Sequence, residues 1–255
     1  MCGRFVASRP VEDIAAIFEV EDVDVPEELA LPRWNVAPQA GVLAVRSRLR
    51  KATDEAPESL RRGLTDFRWG LVPSWAKDPS GGAKQINARA ETLLERPAFR
   101  TALAKRRCVV PADAFYEWRR AGSVREPWCF SAPDGSLLAF AGLYEVWRPA
   151  DPGRRDDGPG WHDEWLLTCS IITTDANEVV APVHDRMPVI LGRADWEAWL
   201  DPSRSEAGDL MAMLRPAGTG VLEGFPVSTA VNNARLEGPE LIERIEPIDQ
   251  PTLFG

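Results

Sequence analysis

Between residues 108 and 147 four β-type runs follow one another with gaps of about nine residues or fewer: 108–110, 114–118, 128–132 and 137–147. Connections this short cannot hold the dozen or more residues that a crossover between parallel neighbours requires, so successive strands must turn back on each other. Asp134-Gly135 marks one such hairpin, since both residues tolerate the backbone angles of a tight turn. Further apolar runs at 42–45, 67–72, 165–173, 187–191 and 225–231 extend the β inventory. Helical signals are scattered: after Ser8 and Pro10, where Ile14, Ile17 and Phe18 share a face, and at 97–103, 175–180, 195–200 and 206–214. Strands that neighbour strands, with helices interspersed irregularly, predict an α+β fold: a single domain on a mostly antiparallel, barrel-like β-sheet.

Of the 255 residues 44% are hydrophobic, enough for one large core. The charged stretch 46–63 reads as a solvated hairpin extension, and 149–160, rich in Pro, Gly, Asp and Arg, as a loop. No apolar run approaches a membrane span, and the N-terminus lacks the basic-then-apolar layout of a signal peptide. A cytoplasmic monomer without a membrane partner is therefore expected. Cys108, Cys129 and Cys169 each sit alone in an apolar run, which predicts reduced core residues and no bound metal. The net charge of −9 disfavours a simple nucleic-acid binder, but it is unevenly spread. Residues 1–130 carry 21 Lys+Arg against 18 Asp+Glu, and residues 131–255 carry 9 against 21, so a basic face must come mostly from the first half.

Cys2 stands outside the apolar runs, directly behind Met1 in Met1-Cys2-Gly3-Arg4-Phe5. Loss of the initiator Met, favoured by a small second residue, leaves an α-amine and a thiol on adjacent carbons. An α-amine titrates near pH 7.7–8.0 and a lysine near 10.4, so about 10% of the former and well under ~0.1% of the latter is neutral at pH 7. Cys2 thus outcompetes any lysine as an aldehyde trap by about two orders of magnitude before geometry is considered.

Four more clusters put polar groups where the local pattern expects apolar ones. They are Arg33-Trp34-Asn35-Val36-Ala37-Pro38; Ile86-Asn87-Ala88-Arg89-Ala90-Glu91-Thr92, preceded by Phe67-Arg68-Trp69-Gly70-Leu71-Val72-Pro73-Ser74-Trp75; Phe115-Tyr116-Glu117-Trp118; and Val183-His184-Asp185-Arg186-Met187-Pro188. With the N-terminal motif, this ordered set resembles the signature of the SOS response-associated peptidase (SRAP) family, from the first residue to about Val231. The resemblance implies an SRAP domain over 1–235 with a C-terminal tail over 236–255, no cofactor, and covalent capture of abasic sites in single-stranded DNA. It implies Cys2 as the crosslinking nucleophile, with Asn87 beside it, Glu117 as the acidic residue and His184 as the histidine. It assigns Arg4, Arg89 and Arg186 to DNA phosphates, Trp69 and Trp118 to aromatic positions of the DNA groove, and Asn35 and Pro38 to DNA contacts.

Two other chemistries stay open. One is an N-terminal-nucleophile hydrolase that cuts an amide with the Cys2 thiolate, its simplest substrate being its own Met1. The other is a non-covalent single-strand binder that uses only the aromatic and arginine side chains. His162, in the polar run Gly160-Trp161-His162-Asp163, is expected to be solvent-exposed. The terminal Gln250-Pro251-Thr252-Leu253-Phe254-Gly255 resembles a sliding-clamp ligand, with Gln250, Leu253 and Phe254 as its contacts.

Overall fold

The computed structural model describes residues 2–50, 59–122, 124–151 and 158–246. In chain order the elements are β1 (Phe5–Ala7), α1 (Val11–Ile17), β2 (Asp22–Asp24), β3 (Arg33–Val36), β4 (Gly41–Arg50), β5 (Ser59–Trp69), β6 (Asn87–Arg89), α2 (Pro97–Lys105) and β7 (Arg107–Ala112). They continue with β8 (Ala114–Ala121), β9 (Val124–Ser131), β10 (Leu138–Trp147), β11 (Trp161–His162), β12 (Trp165–Asp175), β13 (Arg186–Pro188), α3 (Trp196–Leu200), α4 (Ala207–Ala212) and β14 (Glu223–Pro226). No described helix is long and apolar enough to cross a membrane.

The strands form two sheets. One runs β14-β9-β8-β1-β3, with every neighbour antiparallel. The other runs β11-β12-β10-β7-β4-β5-β2, with β6 and β13 also paired to β12. This second sheet curls until β5 meets β12, but the seam holds only two parallel pairs, Thr168 with Arg68 and Cys169 with Trp69. The expected barrel-like sheet is therefore a deep trough and not a closed barrel. Its physical reason is Gly70, whose φ of 137° turns β5 away from the ladder immediately after Trp69.

Inside the trough, Phe5, Val42, Phe67, Trp69, Phe115, Phe140 and Cys169 form one buried cluster. The outer face packs Val45, Leu64, Val109 and Ile172 against Ile14 and Phe18 of the first helical segment, Phe99 and Leu103 of α2, and Trp199 and Leu210 of α3 and α4. With both faces covered, β7 and the middle of β10 and β12 are largely apolar, whereas β4 and β5 turn polar toward their hairpin end.

Several expectations need correction. The helix expected over 175–180 is absent: Asp175 ends β12 and 178–183 form a turn, in which Asn177 Oδ1 accepts from the backbone N–H groups of Val179 and Val180, and Pro182 ends further propagation. The run 187–191 is a strand only as far as Pro188, with one further bridge from Ile190 to Phe140, and 225–231 only as far as Pro226, with one bridge from Val227 to Arg244 before Ser228 caps a short 3₁₀ turn. The hairpin extension exists, but Arg46 and Ser47 within it are buried. His162 is half-buried, its Nε2 lying 2.9 Å from Asp66 Oδ1. Cys108, Cys129 and Cys169 are free and buried, and so is Cys2. Residues 236–246 pack onto the domain, with Leu241 buried and Trp34 N–H donating to Glu237 Oε2 at 2.5 Å. Gln250, Leu253 and Phe254, and with them the sliding-clamp expectation, lie outside the described residues.

Candidate active site around Cys2

Phe5 pairs with Phe115 and with Val36, so the N-terminal strand is gripped from both sides at its first core residue. Continuing the antiparallel register with β8, where Tyr116 N–H donates to Arg4 O at 3.0 Å, sets Gly3 beside Glu117. Alternation along β8 puts Glu117 on the inward face with Phe115, and the residue is only 3% exposed. Burial pushes its carboxyl up to about 7, with Asp185 adding to the shift and the positive charge of the amino terminus opposing it.

Asn87 reaches the same place from β6, which pairs in parallel with β12 through Asn87 and Ile171. Its Nδ2 donates to Cys2 O at 2.7 Å, while its buried Oδ1 has no hydrogen-bond partner among the described residues. Cys2 itself is wholly buried, and desolvation followed by the Glu117 carboxylate raises its thiol well above the usual range. The thiol is therefore held protonated.

His184 follows the turn that Asn177 organises, its N–H bonded to Val180 O at 3.0 Å. The backbone N–H of Arg186 donates to His184 Nδ1 at 2.9 Å, which places the proton of the neutral ring on Nε2. Desolvation lowers the histidine below its ordinary value and keeps it neutral. Asp185 Oδ1 also lies 3.0 Å from Nδ1, an arrangement that becomes a hydrogen bond only when the ring is protonated. The lowering comes from desolvation first and then from the positive charge of the amino terminus, with Asp185 opposing it.

The residues expected to touch DNA divide into two groups. Pro38 and Arg89 are exposed, and Trp118 is half-buried with its indole N–H on Asn232 Oδ1 at 2.6 Å. The others are committed internally. Arg4 donates to Asn35 Oδ1 at 2.6 Å and to Val231 O at 3.0 Å, and Asn35, 2% exposed, clips Val231, Asn233 and Leu236 through their carbonyls. Arg186 makes a two-pronged pair with Glu91 at 2.9 and 2.8 Å, and bonds Asp175 at 2.6 Å and Thr173 O at 2.8 Å. Trp69 is fully buried and its indole N–H donates to Ile86 O at 2.8 Å. It shows no face to a base; it fixes the residue next to Asn87. An exposed aromatic was overlooked nearby: Trp75 is 70% exposed on a segment that also exposes Lys77 and Lys84. The turn-forming Pro73-Ser74 ahead of Trp75 was the available signal.

A small antiparallel and parallel two-sheet domain with an enclosed N-terminal cysteine, an asparagine, a carboxyl and a histidine defines the class. Residues 1–234 match the model of the SOS response associated peptidase (SRAP) family, and the chain belongs to that family. It is 38% identical over 244 residues to abasic site processing protein YoqW of Bacillus subtilis, covering 95% of this chain and 99% of the relative. It is 35% identical over 238 residues to abasic site processing protein HMCES of Gallus gallus, covering 84% and 67% of the two chains. A crystal structure of a protein from Bacteroides thetaiotaomicron superposes with a TM-score of 0.78 at 26% identity, covering 96% of this chain and all of that one.

Proposed function

We propose that this chain processes abasic sites in single-stranded DNA by forming a covalent link through Cys2. The relatives named as abasic site processing proteins support the DNA-processing role. The observation that carries the covalent reading is the enclosure of Cys2: Asn87 holds its carbonyl, leaves one buried amide oxygen open, and a carboxyl titrating near 7 stands close enough to raise the thiol.

The order of steps follows from these protonation states. With Met1 removed, the neutral α-amine of Cys2 attacks the C1′ aldehyde of the open sugar, while the thiol, held protonated, waits. The Asn87 amide oxygen accepts from the attacking amine. Glu117, near half-protonation at neutral pH, gives a proton to the departing hydroxyl, so water leaves and a protonated imine remains. It then accepts the thiol proton as sulfur closes on the imine carbon. One N–C and one S–C bond form, one carbonyl oxygen leaves as water, and no redox partner is needed. His184, neutral with a proton on Nε2, is suited to assist sugar ring opening. The exposed Arg89, Pro38 and Trp75 and the half-buried Trp118 supply the contacts for the strand.

The test is intact mass after incubation with a single-stranded oligonucleotide that carries one abasic site. An adduct equal to protein plus DNA minus water is expected, dependent on Cys2 and on loss of Met1. An adduct that persists in Cys2→Ala overturns the reading. The hydrolase alternative is less favoured, because a wholly buried thiol with a raised pKa is a poor thiolate nucleophile.

A further inference from the structure

The inner face of the trough changes character where it runs out along the β4–β5 hairpin. Alternation puts Val42, Ala44, Arg46 and Arg48 on one face of β4, opposite Phe67, Thr65, Gly63 and Arg61 of β5. The first members of this face are core. Arg46 is 4% exposed, lies 5.2 Å from the ring centres of both Phe67 and Tyr144, and has no hydrogen bond or ion pair among the described residues. A buried guanidinium without a counter-charge is costly even when stacked on aromatic faces. Gly63, opposite it, leaves open the space that a side chain would fill.

One step outward, Arg48 stands directly opposite Arg61, a like-charge pair that opposes the ladder. Arg61 Nε is buried without a hydrogen bond, as is the hydroxyl of Thr65 on the same face. The acids nearby are Glu21 and Asp22, 3.6 and 3.9 Å from Arg61 and facing solvent, and Glu145, which is taken by Arg106 at 2.5 Å. Arg46 and Arg48 thus have no counter-charge among the described residues, and Arg61, with its acids 3.6 and 3.9 Å away, keeps its Nε without a hydrogen bond.

We infer that the Arg46, Arg48 and Arg61 face of this hairpin binds a phosphate-type oxyanion. Such a group supplies the missing charge, separates Arg48 from Arg61, and matches the planar donor fork of each arginine. The outer member of the site, Arg61, lies about 25 Å along β5 from Trp69, while the Arg46 guanidinium reaches back over Phe67. The phosphate can come from the backbone of a strand long enough to reach both Cys2 and this face, or from a free phosphate ester.

The test uses the full chain and the double variant Arg48→Gln, Arg61→Gln, whose exposed or half-exposed positions spare the core. Melting temperature is measured in inorganic phosphate and in chloride at equal ionic strength. The wild type should gain about 3 °C from ~10 mM phosphate over chloride, and the double variant should lose that gain. Equal responses in the two proteins overturn the site. Binding of undamaged single strands of about 5 and about 15 nucleotides then identifies the source. A strand source predicts that the variant weakens the longer one at least threefold and leaves the shorter unchanged, whereas a free ester predicts that neither changes.

Discussion

Glu117 carries the sharpest consequence at the scale of single residues. Its carboxyl has a folded-state pKa of about 7 against an ordinary 4.5, with burial as the first cause. An acid raised in this way is most stabilising, or least costly, below the unfolded value. Stability falls as pH rises from about 4.5 to about 7 and stays lower above it. The difference corresponds to about 3 kcal/mol once the group is ionised. Glu117→Gln should therefore resist urea better than the wild type at pH 8, by up to about 3 kcal/mol, and equally at pH 4, while crosslinking about 100-fold more slowly. A variant weaker than the wild type at both pH values would show that the carboxylate supports the fold instead of straining it. Sequence placed Glu117 between Tyr116 and Trp118 but could not say which face of the strand it occupies, because both flanking residues suit either side of a covered sheet. The register with β1 decides it. Trp69 and Trp75 show the same limit: one motif holds both, and only Gly70, by ending β5, buries the first and leaves the second in solvent.

At the scale of elements, β12 organises the site. It pairs with β6, which carries Asn87, and with β13, which begins at Arg186. The Arg186 guanidinium joins the Glu91 segment to Asp175 and so locks the histidine turn against the Asn87 strand. Because Glu91 and Asp175 are partly solvated, Arg186→Met should cost about 2 kcal/mol, less than a fully buried pair. Its effect on DNA binding should not depend on salt. Arg89→Gln, in contrast, should lower the slope of log K against log salt by about 0.7. A slope change with Arg186→Met would return that residue to the DNA interface. A second element-level contact joins β11 to β5: the bond that His162 donates to the Asp66 carboxylate raises the histidine, with burial opposing. A histidine raised above its unfolded value contributes stability fully below about pH 6.5 and loses it as pH climbs through the folded pKa. Urea midpoints of wild type and His162→Gln should therefore differ at pH 5.5 and converge at high pH. The long strands of this framework were legible from their apolar runs, whereas β1, β2, β3, β6 and β11 were not. Strands of two to four residues carry too little alternation to register in sequence and exist because the neighbouring edges hold them.

For the whole molecule the governing quantity is where charge sits. The net charge is −9, so the long-range field repels DNA, and binding must rest on a few local cations. Arg186 and Arg4 are spent on internal bonds, which leaves Arg89, Lys77 and Lys84 exposed on the segment beside Asn87. Three phosphate contacts at about 0.7 each predict a salt slope near −2 for a short abasic strand. That is shallow for a DNA-binding protein and is what the proposed covalent link requires, since retention would then not rest on the ionic encounter. Strand length then becomes informative. If a longer strand also reaches Arg46, Arg48 and Arg61, up to three more contacts join, and the slope should steepen toward about −4 between 5 and 15 nucleotides. Titrations of non-abasic strands at several salt concentrations isolate this ionic term, because no covalent step follows. A slope that stays near −2 at both lengths confines DNA to the Cys2 end and leaves the hairpin to a free phosphate. A slope already near −4 for the short strand means that cations committed internally, Arg186 first among them, exchange their carboxylates for phosphate when DNA arrives.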